Sequence, residues 1–192
     1  MTNLHQADAS GLLPAVPWAV VILVSLIAAI GDIRTHKIPN RITAPLLLGG
    51  VIWSAVIGGF AGLGQSLLAT LLIGLPFFIL WVINGSGAGD AKMMGAVASW
   101  LGLSAGVTVL LGVALAGGAL CIAYALARRQ IVSTLGNVAA MSSAWLMLLS
   151  SPGTIAQRRQ LMPQPLSSPV PYGLAIFLGI VAAAIWRALW AS

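Results

Sequence analysis

Gly85-Ser86-Gly87-Ala88-Gly89-Asp90-Ala91-Lys92 is a glycine-rich stretch that ends in a carboxylate and an ammonium. Long apolar runs flank it, from Leu63 to Ile83 on one side and from Met93 onward on the other. The chain holds only three acidic residues, Asp8, Asp32 and Asp90. Asp32 closes the first apolar run and Asp90 opens a later one. An ionisable group at a membrane helix costs roughly 2.5–3.5 kcal/mol at full depth and less near the interface, so each is a functional candidate. Two such carboxylates in a chain almost empty of others predict a paired acid site.

Composition sets the solvent. The chain is 59% hydrophobic and 6% charged, whereas soluble domains are about 45–50% apolar and about 25% charged. That makes it an integral membrane protein with the lipid bilayer as its partner, and apolar runs well beyond 18 residues exclude a β-barrel. The net charge of +6 reads as a set of topology signals beside membrane helices. No basic cluster is interleaved with aromatics, so nucleic acid is not an expected partner. A lone cysteine, Cys121, allows neither an internal disulfide nor a CxxC zinc site, and His5 and His36 are too far apart to complete one. No metal and no cofactor is expected. Residues 1–16 carry no Lys or Arg, which argues against a cleavable signal.

Taken in order, the chain predicts an all-α, polytopic fold of six transmembrane helices in a single membrane-embedded domain, 1–192. After an outside tail over 1–16, helix 1 runs from Pro14 or Trp18 to Asp32. The loop from Arg34 to Arg41 packs three of the nine cations into eight residues; Pro39 breaks the helix there, and Asn40 or Thr43 caps the next. Helix 2 spans Ile42 to Phe60, with a turn over Gly58-Gly59 and Gly62-Leu63-Gly64. Helix 3 spans Gln65 to Ile83, kinked at Pro76. From Ala91 to Ala127 the sequence would make one helix about 55 Å long, against a hydrocarbon core of about 30 Å. Gly102-Leu103-Ser104 is the expected break, Gly102 as stop and Ser104 as a new cap. That leaves a short helix 4, Ala91 to Leu101, and helix 5, Ala105 to Ala127, where Gly112, Ala116 and Ala119 suit close packing. Residues 128–170 form a cytoplasmic segment, with 131–150 an interfacial helix and 151–169 a loop. Helix 6 runs from Tyr172 to Leu189, anchored by Arg187 and Trp190.

With both termini outside, Arg34, Lys37, Arg41, Lys92, Arg128, Arg129, Arg158 and Arg159 are cytoplasmic and only Arg187 is outside, as the positive-inside rule requires. Asp32 and Asp90 then share the inner face. Two carboxylates at one site do not easily both ionise. The charged member of such a pair can take a proton from a water that attacks a peptide carbonyl, while the protonated member hydrogen-bonds the carbonyl oxygen. Gly85, Gly87 and Gly89 would let an extended substrate approach and permit positive φ. Each residue also has a plainer reading: Asp90 as a helix cap, Asp32 as an interfacial partner of Arg34 or Lys37, Lys92 as a marker of the cytoplasmic edge, Met93 and Met94 as packing.

At these residues the sequence resembles a family. Gly87-Ala88-Gly89-Asp90-Ala91-Lys92 is similar to the GxGD signature of intramembrane aspartyl proteases, in the GxGDxK form of prepilin peptidases. Asp32 followed by Ile38-Pro39-Asn40 resembles their first motif, and Pro171-Tyr172-Gly173 their C-terminal PYG segment. The resemblance covers residues 17–190. It implies an endopeptidase that removes the basic leader of type IV or Flp pilin-like precursors at the cytoplasmic face of the inner membrane. Asp32 and Asp90 would be the catalytic pair, with Gly87, Gly89, Lys92, Pro39, Asn40, Pro171, Tyr172 and Gly173 in support. Larger members of the family carry a domain with paired cysteines and also methylate the new N-terminus. This chain has neither those cysteines nor an insertion after helix 1, and so resembles the short, peptidase-only members. The rival from another class is a small transporter or proton channel that uses the same two aspartates as a relay.

Overall fold

The computed structural model describes residues 3–35, 37–84, 87–127 and 172–190. They form four helices: α1, Asn3–Thr35; α2, Asn40–Asn84; α3, Ala88–Ala127; and α4, Tyr172–Trp190. There is no strand among the described residues. All four helices contain a stretch long and apolar enough to cross a membrane. Their exposed surfaces carry large apolar side chains such as Leu23, Val56, Leu71, Leu115 and Ile185. Much of the interior is small or soft: Ala28, Ala69, Ala96, Ala98, Ser99, Met93 and Met94. Helices without a water-driven force between them pack by close approach of small residues, and this distribution follows that rule.

Two of the helices fold back on themselves. In α2, Gly59 has φ 59° and ψ −146°; in α3, Gly102 has φ 75° and ψ −179°. Both lie where a Cβ is rarely tolerated. Ser54 and Ser66 flank Gly59, and both hydroxyls donate to the Ser99 carbonyl, at 3.0 and 2.9 Å. In a straight helix they would stand about 18 Å apart. Across Gly102, a Cβ placed on Gly106 would be 3.6 Å from that of Ala98. The turns expected near Gly58–Gly64 and Gly102–Ser104 are therefore present, each reduced to a single non-helical glycine.

Other expectations need correction. α1 starts at Asn3, not at Pro14 or Trp18. Nothing before Gly11 breaks a helix, so residues expected to form a tail continue the helix, although its apolar stretch begins at Ala15. Pro76 lies inside α2, whose sole departure from helical φ and ψ is at Gly59. The short fourth helix begins at Ala88 rather than Ala91. The interfacial helix at 131–150, the loop at 151–169 and Pro171 lie outside the described residues.

The first segment of α3, Ala88 to Leu101, is the centre of the fold. Met93, Met94, Ala96, Val97, Ala98 and Ser99 are all fully buried. One flank meets the first half of α2: Trp100 Nε1 donates to the Leu46 carbonyl at 2.7 Å, and Gly50 presses on Ser99. The other flank meets the second half, where Gly74 lies against the backbone of Ala91 and Gly95. At about 21 Å the segment is shorter than a hydrocarbon core of about 30 Å. Its last carbonyls lose their helical amides at Gly102, and the Ser54 and Ser66 hydroxyls supply partners for one of them. The second half of α3 packs on α4 through Gly112 and Gly179. α4 runs antiparallel to α1, with Gly173 beside Asp32 at one end and Arg187 stacked 5.6 Å over Trp18 at the other.

A Cβ at Gly50 would collide with Ser99 Oγ and come within 2.7 Å of Trp100, whereas one at Gly58 meets nothing within 4 Å. Gly50→Ala is expected to destabilise the fold by about 1–3 kcal/mol, the usual cost of overpacking. Gly58→Ala should cost nothing. Thermal unfolding in detergent would separate the two.

Candidate active site

Asp32 sits in the last turn of α1 and is buried, 6% exposed. Its Oδ2 accepts a hydrogen bond from the Gly173 amide at 2.8 Å. Gly173 is the second residue of α4, so this amide is one of the four that a helix start leaves without an internal partner. Asp32 thus satisfies the N-terminus of a helix 141 positions away. A Cβ on Gly173 would lie 2.8 Å from the Asp32 Cβ, so the approach depends on glycine.

The connection from α1 to α2 is equally constrained. Thr35 Oγ1 donates to the carbonyl of Gly31 at 2.9 Å and of Lys37 at 3.2 Å. Ile38 is buried against Gly89, where a Cβ would come within 3.1 Å of the Ile38 Cβ. The Pro39 carbonyl accepts from the Ile42 amide at 3.0 Å and starts α2. Neither expected cap is used. Asn40 is already helical and its Oδ1 accepts from Lys92 Nζ at 3.0 Å, while Thr43 is buried inside the first turns.

Gly87, with φ 92°, precedes α3, and its carbonyl accepts the Ala91 amide at 3.1 Å. A Cβ on Gly87 would lie 3.3 Å from Asp90 Oδ2. Gly89 and Asp90 therefore stand in the first helical turn rather than in a loop. The helix starts early because positive φ at Gly87 turns the chain into it directly. Among the described residues none donates a hydrogen bond to Asp90. The Asp90 carboxyl lies within electrostatic reach of Asp32 and of the Tyr172 phenol.

Three stretches far apart in sequence thus meet. Asp32 touches Gly173, Ile38 touches Gly89, Asn40 binds Lys92, and Asp90 lies within electrostatic reach of Asp32 and Tyr172. Pro39 is exposed and shapes the connection through its carbonyl. Sequence reading missed the residues that seat Tyr172. Its ring packs edge-on to Phe77 at 6.2 Å, and its hydroxyl lies 3.2 Å from where a Gly117 Cβ would stand. The Gly117-Gly118 pair within a helix was the available signal. Among the described residues no three His, Cys, Asp or Glu side chains come together as a metal would need.

The type IV leader peptidase family model (Peptidase_A24) matches residues 19–122. The chain belongs to the type IV leader peptidase family. The match includes the connection that carries Ile38, the Gly87–Lys92 segment and both carboxylates. A prepilin leader peptidase/N-methyltransferase of Aeromonas hydrophila is 30% identical over 123 residues, 59% of this chain and 39% of the relative. Enzymes of the same name from Escherichia coli K12 and Burkholderia pseudomallei 1026b are 27% identical over 117 residues and 36% identical over 99. These alignments cover 49% and 30% of those relatives, so the chain spans less than half the length of each. No solved structure matches.

The Asp32–Gly173 contact can be tested directly in this leader peptidase family member. Gly173→Ala is expected to push the carboxylate off the amide, because the added methyl would overlap the Asp32 side chain. Hydrogen exchange at amide 173 should then rise by about tenfold, the loss of one charge-assisted hydrogen bond of about 1.5–3 kcal/mol being enough to allow it. An unchanged rate would place the carboxylate elsewhere.

Proposed function

We propose that this chain is an aspartic endopeptidase that removes the leader from type IV or Flp pilin-like precursors at the cytoplasmic face of the inner membrane. The observation that supports the reading is that the buried Asp32 and the half-buried Asp90 lie within electrostatic reach of each other inside a chain of this family. One carboxylate takes a proton from a water as the water oxygen bonds to the carbonyl carbon of the scissile peptide. The other, protonated, hydrogen-bonds the carbonyl oxygen as charge develops on it. Collapse of the tetrahedral intermediate breaks the C–N bond, the leaving nitrogen takes a proton from the pair, and the initial protonation state returns.

The finer architecture belongs to the same proposal. Divided at Gly59 and Gly102, the four helices supply six spans in one peptidase domain, with both termini outside and the carboxylates at the inner face. Eight of nine cations are cytoplasmic in that arrangement. Gly87 supports the site by turning the chain into α3, Gly89 by admitting Ile38, and Gly173 by holding Asp32. Pro171 and Tyr172 belong to the same support. N-methyltransferase activity, part of the relatives' name, is not proposed. The chain has one cysteine, and α1 joins α2 without room for an inserted domain.

Co-expression with candidate pilin-like precursors, read by mobility shift, tests the function. Asp32→Asn and Asp90→Asn are each expected to reduce cleavage by about a thousandfold, within the range of general acid–base contributions, while the protein still inserts. Normal processing by either variant would overturn the paired-acid mechanism. Proton flux lost in both variants, with no cleavage by the wild-type chain, would favour an ion relay.

A further inference from the structure

Lys92 is exposed near the start of α3, where a cation serves as a topology marker, yet its ammonium does not simply face solvent. It donates to Asn40 Oδ1 at 3.0 Å, across 52 positions of sequence. Lysine has three donors and no acceptor, so the Asn40 amide must present its oxygen. Fixing a long four-carbon side chain costs rotamer entropy. Arg34 and Arg41, the nearby exposed arginines, make no such bond to the described residues. Beside this contact Ile38 is buried against Gly89. The connection between α1 and α2 is therefore held at two adjacent points, and both belong to the first turns of α3, on either side of Asp90. α1 ends only three residues after Asp32. Whatever sets the connection against α3 also sets the distance between the two aspartates.

We infer that Lys92 and Asn40 form a clasp that pins the α1–α2 connection onto the start of α3 and so positions Asp32 against Asp90. Lys92 is a positioning residue, and the apolar seat of Ile38 on Gly89 is the other half of the device. The inference rests on the peptidase reading for its effect on rate, but the clasp itself has a readout that needs no substrate.

That readout is hydrogen exchange at the Ile42 amide, which bonds to the Pro39 carbonyl at 3.0 Å. In the full chain in lipid vesicles, Lys92→Met is expected to speed this exchange by about tenfold. With a Flp-type pilin precursor bearing its basic leader, kcat should fall about tenfold while KM stays within about twofold. Asn40→Ala should match it. The double variant should lie within about twofold of either single one, because both remove the same contact. Lys92→Arg, which can still donate to Asn40, should recover kcat to within about threefold. Unchanged exchange in Lys92→Met would overturn the clasp regardless of cleavage. So would losses that multiply in the double variant, or a raised KM with kcat intact, which would make Lys92 a substrate contact. Exchange as expected, with no cleavage by the wild-type chain, would support the clasp and count against the peptidase reading instead.

Discussion

A backbone amide or carbonyl inside hydrocarbon has no water to bond, and leaving it alone costs several kcal/mol. A straight helix across the bilayer avoids the cost; a helix that ends part-way does not. This chain ends helical segments at Gly59 and Gly102 and begins one beside a buried carboxylate. The Ser99 carbonyl, near the end of a segment, takes two serine hydroxyls from both halves of α2. The Gly173 amide, at the start of α4, takes the Asp32 carboxylate. The same requirement thus shapes the packing of the bundle and the placement of an acid at its edge. Asp32 is tolerated in an apolar setting because it answers a need of the backbone.

Glycine is what permits these approaches, through two separate properties. At Gly59, Gly87 and Gly102 it supplies a backbone conformation that other residues resist. At Gly50, Gly89, Gly112, Gly173 and Gly179 it supplies the missing volume, since a Cβ at each would press on a neighbouring segment. The motif glycines divide the same way. Gly87 turns the chain into α3, and Gly89, one residue before Asp90, admits Ile38. The first acts through torsion and the second through space.

Much of this was legible in the residues. The run from Ala91 to Ala127 was too long for one span, and within it Gly102 as a stop and Ser104 as a cap located the break. The cluster around Gly59 marked the other reversal, and the scarcity of acids singled out Asp32 and Asp90. The misreadings came where local preference met tertiary demand. Asn40 is a good cap in isolation, but the Pro39 carbonyl starts α2 and the Asn40 oxygen goes to Lys92. α1 reaches back to Asn3, although its apolar stretch begins only at Ala15. Contacts over 52 and 141 positions leave no local trace, so the pairing of Asp32 with Gly173 and of Lys92 with Asn40 required the fold.

The segment from Ala88 to Leu101 also dictates an order of assembly. Fourteen residues are too few to bridge the bilayer unaided, and the segment's far end, at Ser99, relies on hydroxyls that both arms of α2 bring into place. As the nascent chain leaves the ribosome, α2 emerges first and prepares that berth. The stub can then be received sideways, from protein rather than from lipid. Biogenesis and the proposed chemistry are linked at this point, because Asp90 stands in the stub's first turn.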